Sequence, residues 1–218
     1  MNLRERQIVG PGLVVGMLVL SVAFYSRLPA TMVIHWGPGG PDGTASRLVA
    51  LGVLPLLAGA LILLFEVLPR IDPLGHHLRD LGRYYDVLVV VIVGLLAYVH
   101  GLVILWNLGT EFDVLQAIVP AVAILLYVVG EILEHVDKNW FVGIRTPWTL
   151  SSERVWEETH ARAGPLFKLA AVLSLPAILF PEYGVVFLAG PVLAISAYLT
   201  VYSYLAYRRL ESAPDDNV

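Results

Sequence analysis

Apolar residues run almost unbroken through six stretches of this chain, at about 8–25, 48–68, 87–106, 114–133, 165–181 and 185–206, and polar residues collect between them. Such stretches predict membrane-spanning helices, because a hydrocarbon layer of about 30 Å needs about 20 residues at about 1.5 Å of rise each. The expected fold is an all-α membrane protein, a six-transmembrane-helix bundle. It divides into a two-span N-terminal unit over 8–68, a four-span unit over 86–206 and a tail over 207–218. The fifth stretch is the shortest. It follows Gly164, begins with Pro165 and contains Lys168 and Pro176, which predicts a helix break at Gly164-Pro165 and a tilted, kinked or partly interfacial span.

Composition agrees: 57% of the 218 residues are hydrophobic and only 15% are charged, and the mean hydropathy is +0.74, outside the balance of a soluble domain. The net charge of -4 argues against a nucleic-acid partner. With no cysteine, disulfides, thiol nucleophiles and thiolate metal sites are excluded. The basic start "MNLRERQ" precedes an apolar stretch long enough to span, so it is expected to be a retained first helix and not a cleaved signal peptide. Lysine and arginine concentrate in cytoplasmic segments. Six spans with both termini cytoplasmic put Arg4, Arg6, Arg70, Arg79, Arg83, Lys138, Arg145, Arg154, Arg162, Lys168, Arg208 and Arg209 inside and only Arg27 and Arg47 outside.

Two connecting segments carry motifs. "LPATMVIHWGPGGPDGTASR", Leu28–Arg47, is rich in glycine and proline and is expected to be a set of turns. His35 there suits a hydrogen-bonded imidazole beside the interfacial Trp36 better than a metal ligand, since no partner ligands accompany it. The second segment, "KNWFVGIRTPWTLSSERVWEETH" from Lys138 to His160, holds three of the five tryptophans. Its first half should be extended or looped, with Gly143 at a turn and Thr146 extended by Pro147. Ser151 or Ser152 should then cap a short helix with a Glu158–Arg162 pair, and Val155, Trp156 and Thr159 should share a face. Trp140, Trp148 and Trp156 suit packing or interface positions. We expect a docked platform centred on Arg145, whose candidate partners are Glu131, Glu134 and Glu157.

"NWFVGIRTPWTLSSERVWEETH", Asn139–His160, resembles the signature of the SdpI family of bacterial and archaeal membrane proteins. "LPATMVIHWGPGGPDG", Leu28–Gly43, is similar to the pattern of an uncharacterised membrane domain that commonly precedes it, although Arg47 stands where that pattern continues to a lysine. The resemblance covers the positions Asn139, Gly143, Arg145, Thr146, Pro147, Trp148, Thr149, Trp156, Thr159 and His160, with His35, Trp36 and Gly37 in the other segment. The founding member protects a producing cell against its own secreted membrane-active toxin and holds a transcriptional repressor at the membrane. The resemblance therefore implies a non-catalytic immunity protein with an extracellular peptide or protein toxin and a cytoplasmic transcriptional regulator as partners, besides the lipid bilayer.

The residues also bear on enzymatic and transport readings. "GEILEH", Gly130–His135, lacks the paired histidines of metalloprotease motifs, and "DPLGHHLRD" brings Asp72, His76, His77 and Asp80 together without a recognised ligand spacing. No metal or cofactor site is expected. A small-solute or proton-coupled transporter is the stronger alternative, because ionisable residues inside spans are costly and often functional. His100 lies deep in the third span, and Glu66, Glu131 and Lys168 lie near span ends, where snorkelling or a stabilising Glu131–Lys168 pair accounts for them. His100 is expected to be neutral and hydrogen-bonded.

Overall fold

The computed structural model of the protein describes residues 3–37, 39–73 and 81–212; His76, His77 and Asp80 lie outside them. Six long helices are present: α1 Leu3–Phe24, α2 Arg47–Ile71, α3 Arg83–Asn107, α4 Val114–Leu133, α6 Glu153–Ser174 and α7 Gly184–Glu211, with the one-turn helix α5 Pro147–Ser151 before α6. Each of the six is long and apolar enough to cross a membrane. Their outward faces carry Val22, Leu56, Leu63, Val186 and Leu193 in exposed positions, as helices in hydrocarbon require.

The fifth span departs from expectation. Gly164-Pro165 does not interrupt it: α6 runs unbroken from Glu153 through Pro165 to Ser174, and a 3₁₀ turn extends it to Ile178. A proline removes one helical hydrogen bond, which membrane helices accommodate where neighbours pack closely. The neighbour is α4. A Cβ built on Gly130 would lie 2.7 Å from the Gly164 carbonyl oxygen, and one built on Gly164 would lie 2.9 Å from the Gly130 carbonyl oxygen. Two glycines thus face each other where the backbones cross, and this contact requires an uninterrupted rod. The last helix also runs beyond 206, to Glu211.

The second departure is a β-hairpin. Thr31–Gly37 (β1) and Gly40–Ser46 (β2) pair antiparallel where turns alone were expected. β1, "TMVIHWG", has the β-branched and aromatic content of a strand; β2, "GPDGTAS", does not. Tertiary contacts supply what propensity lacks. Asn107, the last residue of α3, accepts from the Val33 N–H at 2.8 Å and donates to the Val33 carbonyl at 2.9 Å, taking the place of a neighbouring strand. Met32 is fully buried beneath the hairpin with Leu28, Leu51 and Ile104.

α3 packs against α1, α2 and α4, while α4 and α7 both pack on α6. One apolar core runs through these contacts, from Met17 and Ala58 through Val89 and Val93 to Leu133, Trp156, Phe167 and Leu199. The alternation of helices brings the hairpin, the α3–α4 connection and the α6–α7 connection to one end of the bundle. The α4–α6 connection lies at the other end. The two motif segments therefore sit at opposite ends.

Candidate functional site

The segment between α4 and α6 is a built structure. Asn139 is fully buried and uses all four of its amide valences: Nδ2 donates to the Asp137 and Val142 carbonyls, and Oδ1 accepts from the Phe141 and Val142 N–H groups, all within 2.7–2.9 Å. It replaces secondary structure as the organiser of this turn. Asn139→Ala should cost about 2–4 kcal/mol, since it strands two backbone donors and two acceptors. Asn139→Asp keeps the acceptors and should fall between; thermal unfolding in detergent micelles checks the order.

Gly143 follows at φ +124°. A Cβ there would meet His160 Nε2 at 2.5 Å and the Trp156 ring at 2.9 Å, so the loop lies directly on those two rings, themselves stacked with centroids 4.0 Å apart. His160 Nδ1–H donates to the Trp156 carbonyl at 2.8 Å, and Nε2 accepts from the Ile144 N–H at 2.9 Å. One nitrogen donates and the other accepts, which fixes a neutral tautomer. Trp156 donates from Nε1 to the Val136 carbonyl at 2.8 Å and is fully buried. Thr146 and Thr149 form a reciprocal capping box around α5, with Pro147 at its start. Thr149 Oγ1 also donates to the Ile144 carbonyl at 2.7 Å, and Thr146 Oγ1 lies 3.1 Å from Ser203 Oγ of α7. Ser152, not Ser151, caps α6. Val155, Trp156 and Thr159 share its buried face as expected.

Arg145 does not pair with Glu131, Glu134 or Glu157. It is exposed, and its Nη1 donates to the Trp140 carbonyl. A guanidinium can hold a loop by its carbonyls as well as by a carboxylate, and two of the three acidic candidates are engaged elsewhere. Lys168 Nζ lies 2.7 Å from both Glu131 Oε2 and Glu134 Oε2, so the Glu131–Lys168 pair expected from the sequence is a triad. Together with His135 these carboxylates could encircle a cation, but the ammonium already stands between them. Glu158 pairs with Arg154 at 3.0 Å and not with Arg162, whose guanidinium lies over the Tyr202 ring at 4.2 Å. Trp148 is half-buried against Tyr204, whereas Trp140 is exposed. The outward residues of the platform include Trp140, Arg145, Arg154 and Glu157.

At the opposite end, His35 Nδ1 lies 2.5 Å from Asp42 Oδ1 across the hairpin, and both side chains are exposed. Trp36 packs edge-on against Trp106, which meets Phe112 in the same way. A Cβ on Gly43 would press on the His35 Cβ at 2.8 Å, and one on Gly37 would collide with the Asp42 carboxylate. The glycines of this segment thus make room for the pair. His100 lies about two turns inside the hairpin end of α3 and is fully buried; its Nε2 lies 3.0 Å from Ser21 Oγ and 3.2 Å from the Met17 carbonyl on α1. That placement matches a neutral histidine holding α3 to α1. Asn107, Asp42 and Ser21 were not singled out from the sequence; each acts through a partner distant in the chain or across a turn, and no local pattern marks them.

Residues 135–203 match the model of the SdpI/YfhL protein family. The chain carries an SdpI/YfhL-family domain. Residues 12–59 match a domain of unknown function, DUF1648. Over 195 residues the chain is 24% identical to the immunity protein SdpI of Bacillus subtilis (strain 168), covering 88% of this chain and 91% of that protein. No solved structure matches it. The SdpI/YfhL match begins at His135, just ahead of Asn139, and takes in the whole interlocked platform. With its six spans, the protein is a multi-pass protein of the cell membrane.

Proposed function

We propose that this protein gives the cell immunity to a membrane-active peptide or protein toxin, without catalysis, and that it holds a cytoplasmic transcriptional regulator at its platform. The observation that carries this reading is the similarity to an immunity protein across 88% of the chain, which takes in both motif segments. Those segments differ in build. The platform spends most of its motif residues on internal hydrogen bonds and packing and presents one side of α6, with Arg154 and Glu157, to water. The hairpin presents the His35–Asp42 pair and β2 beside the aromatic cluster of Trp36, Trp106 and Phe112, a surface suited to meet a toxin before it inserts.

Orientation follows from charge. Of the basic residues whose side chains are described, nine (Arg70, Arg83, Lys138, Arg145, Arg154, Arg162, Lys168, Arg208 and Arg209) lie toward the platform end and two (Arg27 and Arg47) toward the hairpin end, which supports a cytoplasmic platform and cytoplasmic termini. Reporter fusions at Asp113 and Glu182 should then report the outside and a fusion at Ser152 the inside; consistent reversal would overturn the orientation. The immunity reading is tested at the hairpin. His35→Ala and Trp36→Ala proteins that reach the membrane at normal abundance should protect toxin-exposed cells poorly, and full protection by both would remove the hairpin from toxin contact.

A further inference from the structure

We propose that the cleft between the start of α3 and the end of α4 is a phospholipid site, in which Arg83 takes the phosphate. This inference rests on the membrane location alone and is independent of the immunity reading. The cleft has a volume of about 270 Å³ and lies between Arg83, Tyr84 and Val87 on α3 and Tyr127, Val128, Glu131 and Ile132 on α4. Both sets follow helical spacing. Arg83 and Val87 are one turn apart, as are Tyr127 and Glu131, so each helix lines the cleft with one stripe. Because the helices are antiparallel, Arg83 and Glu131 lie together at the platform end while Val87 and Val128 lie about one turn, or roughly 5–6 Å, deeper toward the bilayer centre. Charge at the mouth and apolar walls below repeat the polarity of a phospholipid from headgroup to acyl chain.

The donor is available. Arg83 is exposed, and its guanidinium has the Tyr84 hydroxyl at 3.3 Å and the Tyr84 ring at 5.0 Å as its neighbours. Among the described residues no carboxylate stands within ion-pair distance of it, and Glu131 is engaged by Lys168. Both aromatic walls have a ring contact of their own. Tyr84 stacks on His135 with ring centroids 4.3 Å apart, and Lys168 Nζ lies 5.7 Å from the Tyr127 ring centroid. A guanidinium beside two phenol rings at the platform end of two spans can bind a phosphate bidentately and rest the glycerol region on aromatic faces. The apolar depth of the cleft selects a lipid over a free anion.

The test uses the purified full chain in detergent, with binding read by native mass spectrometry and by the shift in Tm on adding phosphatidylglycerol, phosphatidylethanolamine, diacylglycerol or inorganic phosphate. Phospholipid is expected to bind and raise Tm, and diacylglycerol and inorganic phosphate to do neither. Arg83→Gln should weaken phospholipid binding about tenfold or more, and Val128→Trp, which fills the cleft, should do the same while leaving Arg83 in place. Arg208→Gln, at an exposed arginine of α7 toward the same end, should leave binding unchanged. A preference for phosphatidylglycerol would mark Arg83 as the sole headgroup contact, and equal binding of phosphatidylethanolamine would add Glu131 as the contact for its ammonium; either supports the site. Equal stabilisation by diacylglycerol, equal binding of inorganic phosphate, or unchanged phospholipid binding by both variants would overturn it.

Discussion

Replacing Gly143 with alanine is expected to cost about 3 kcal/mol and to empty the membrane of most of the protein. Two terms add. An L-residue at φ +124° carries a backbone penalty of roughly 1–2 kcal/mol. The new methyl would also stand 2.5 Å from His160 Nε2 and 2.9 Å from Trp156, and neither ring can yield: Trp156 is buried and bonded to Val136, and His160 is bonded at both nitrogens. Overpacking of this kind costs typically 1–3 kcal/mol. The measurement is thermal unfolding in detergent together with abundance in membranes. In a His160→Ala background the added cost of Gly143→Ala should shrink, because the nearest clash is gone and the backbone term remains. An unchanged Tm for Gly143→Ala would mean that the loop does not lie on these rings.

Gly130→Ala should be as damaging, for a different reason. Alanine is the better helix former by about 1 kcal/mol, so on propensity alone the change would stabilise α4. Packing reverses the sign. The methyl would meet the Gly164 carbonyl oxygen at 2.7 Å and the Lys168 amide nitrogen at 2.9 Å, both backbone atoms that move only if α4 and α6 separate. Separation would loosen the glycine-to-glycine contact of the two helices and pull Lys168 from its two carboxylates, for a net loss of about 2–4 kcal/mol. Gly94→Ala on α3 is the control, because its Cβ meets nothing within 4 Å; it should be neutral or slightly stabilising. If Gly130→Ala behaves like the control, the helices do not cross at the glycines.

These two glycines also show what the sequence discloses. The spans were legible because an apolar run of that length has few other uses, and the Trp156–Thr159 face because helical spacing is local. Gly143 could be read as a turn, but not what it turns against, since His160 lies 17 residues on. The hairpin is not legible in the sequence because β2 is made of poor strand formers and β1 is bonded along its edge by Asn107, 74 residues beyond Val33. The continuity of α6 through Pro165 was missed because proline argues locally for a break, while the reason against it, Gly130, sits on another helix. The charge on Arg145 suggested a carboxylate. Of its three candidate partners, Glu131 and Glu134 are held by Lys168, and a carbonyl of the loop itself, that of Trp140, takes the guanidinium.

Protection of a sensitive cell is the most direct test of the proposed immunity. A host sensitive to membrane-active peptide and protein toxins should be supplied with this protein and challenged with a panel of them, with survival and membrane potential followed in the same culture. Cells carrying the protein should keep both viability and potential at doses that depolarise and kill cells carrying an empty vector. Death and depolarisation at the same dose as the empty vector, with the protein present in the membrane at normal abundance, would contradict it.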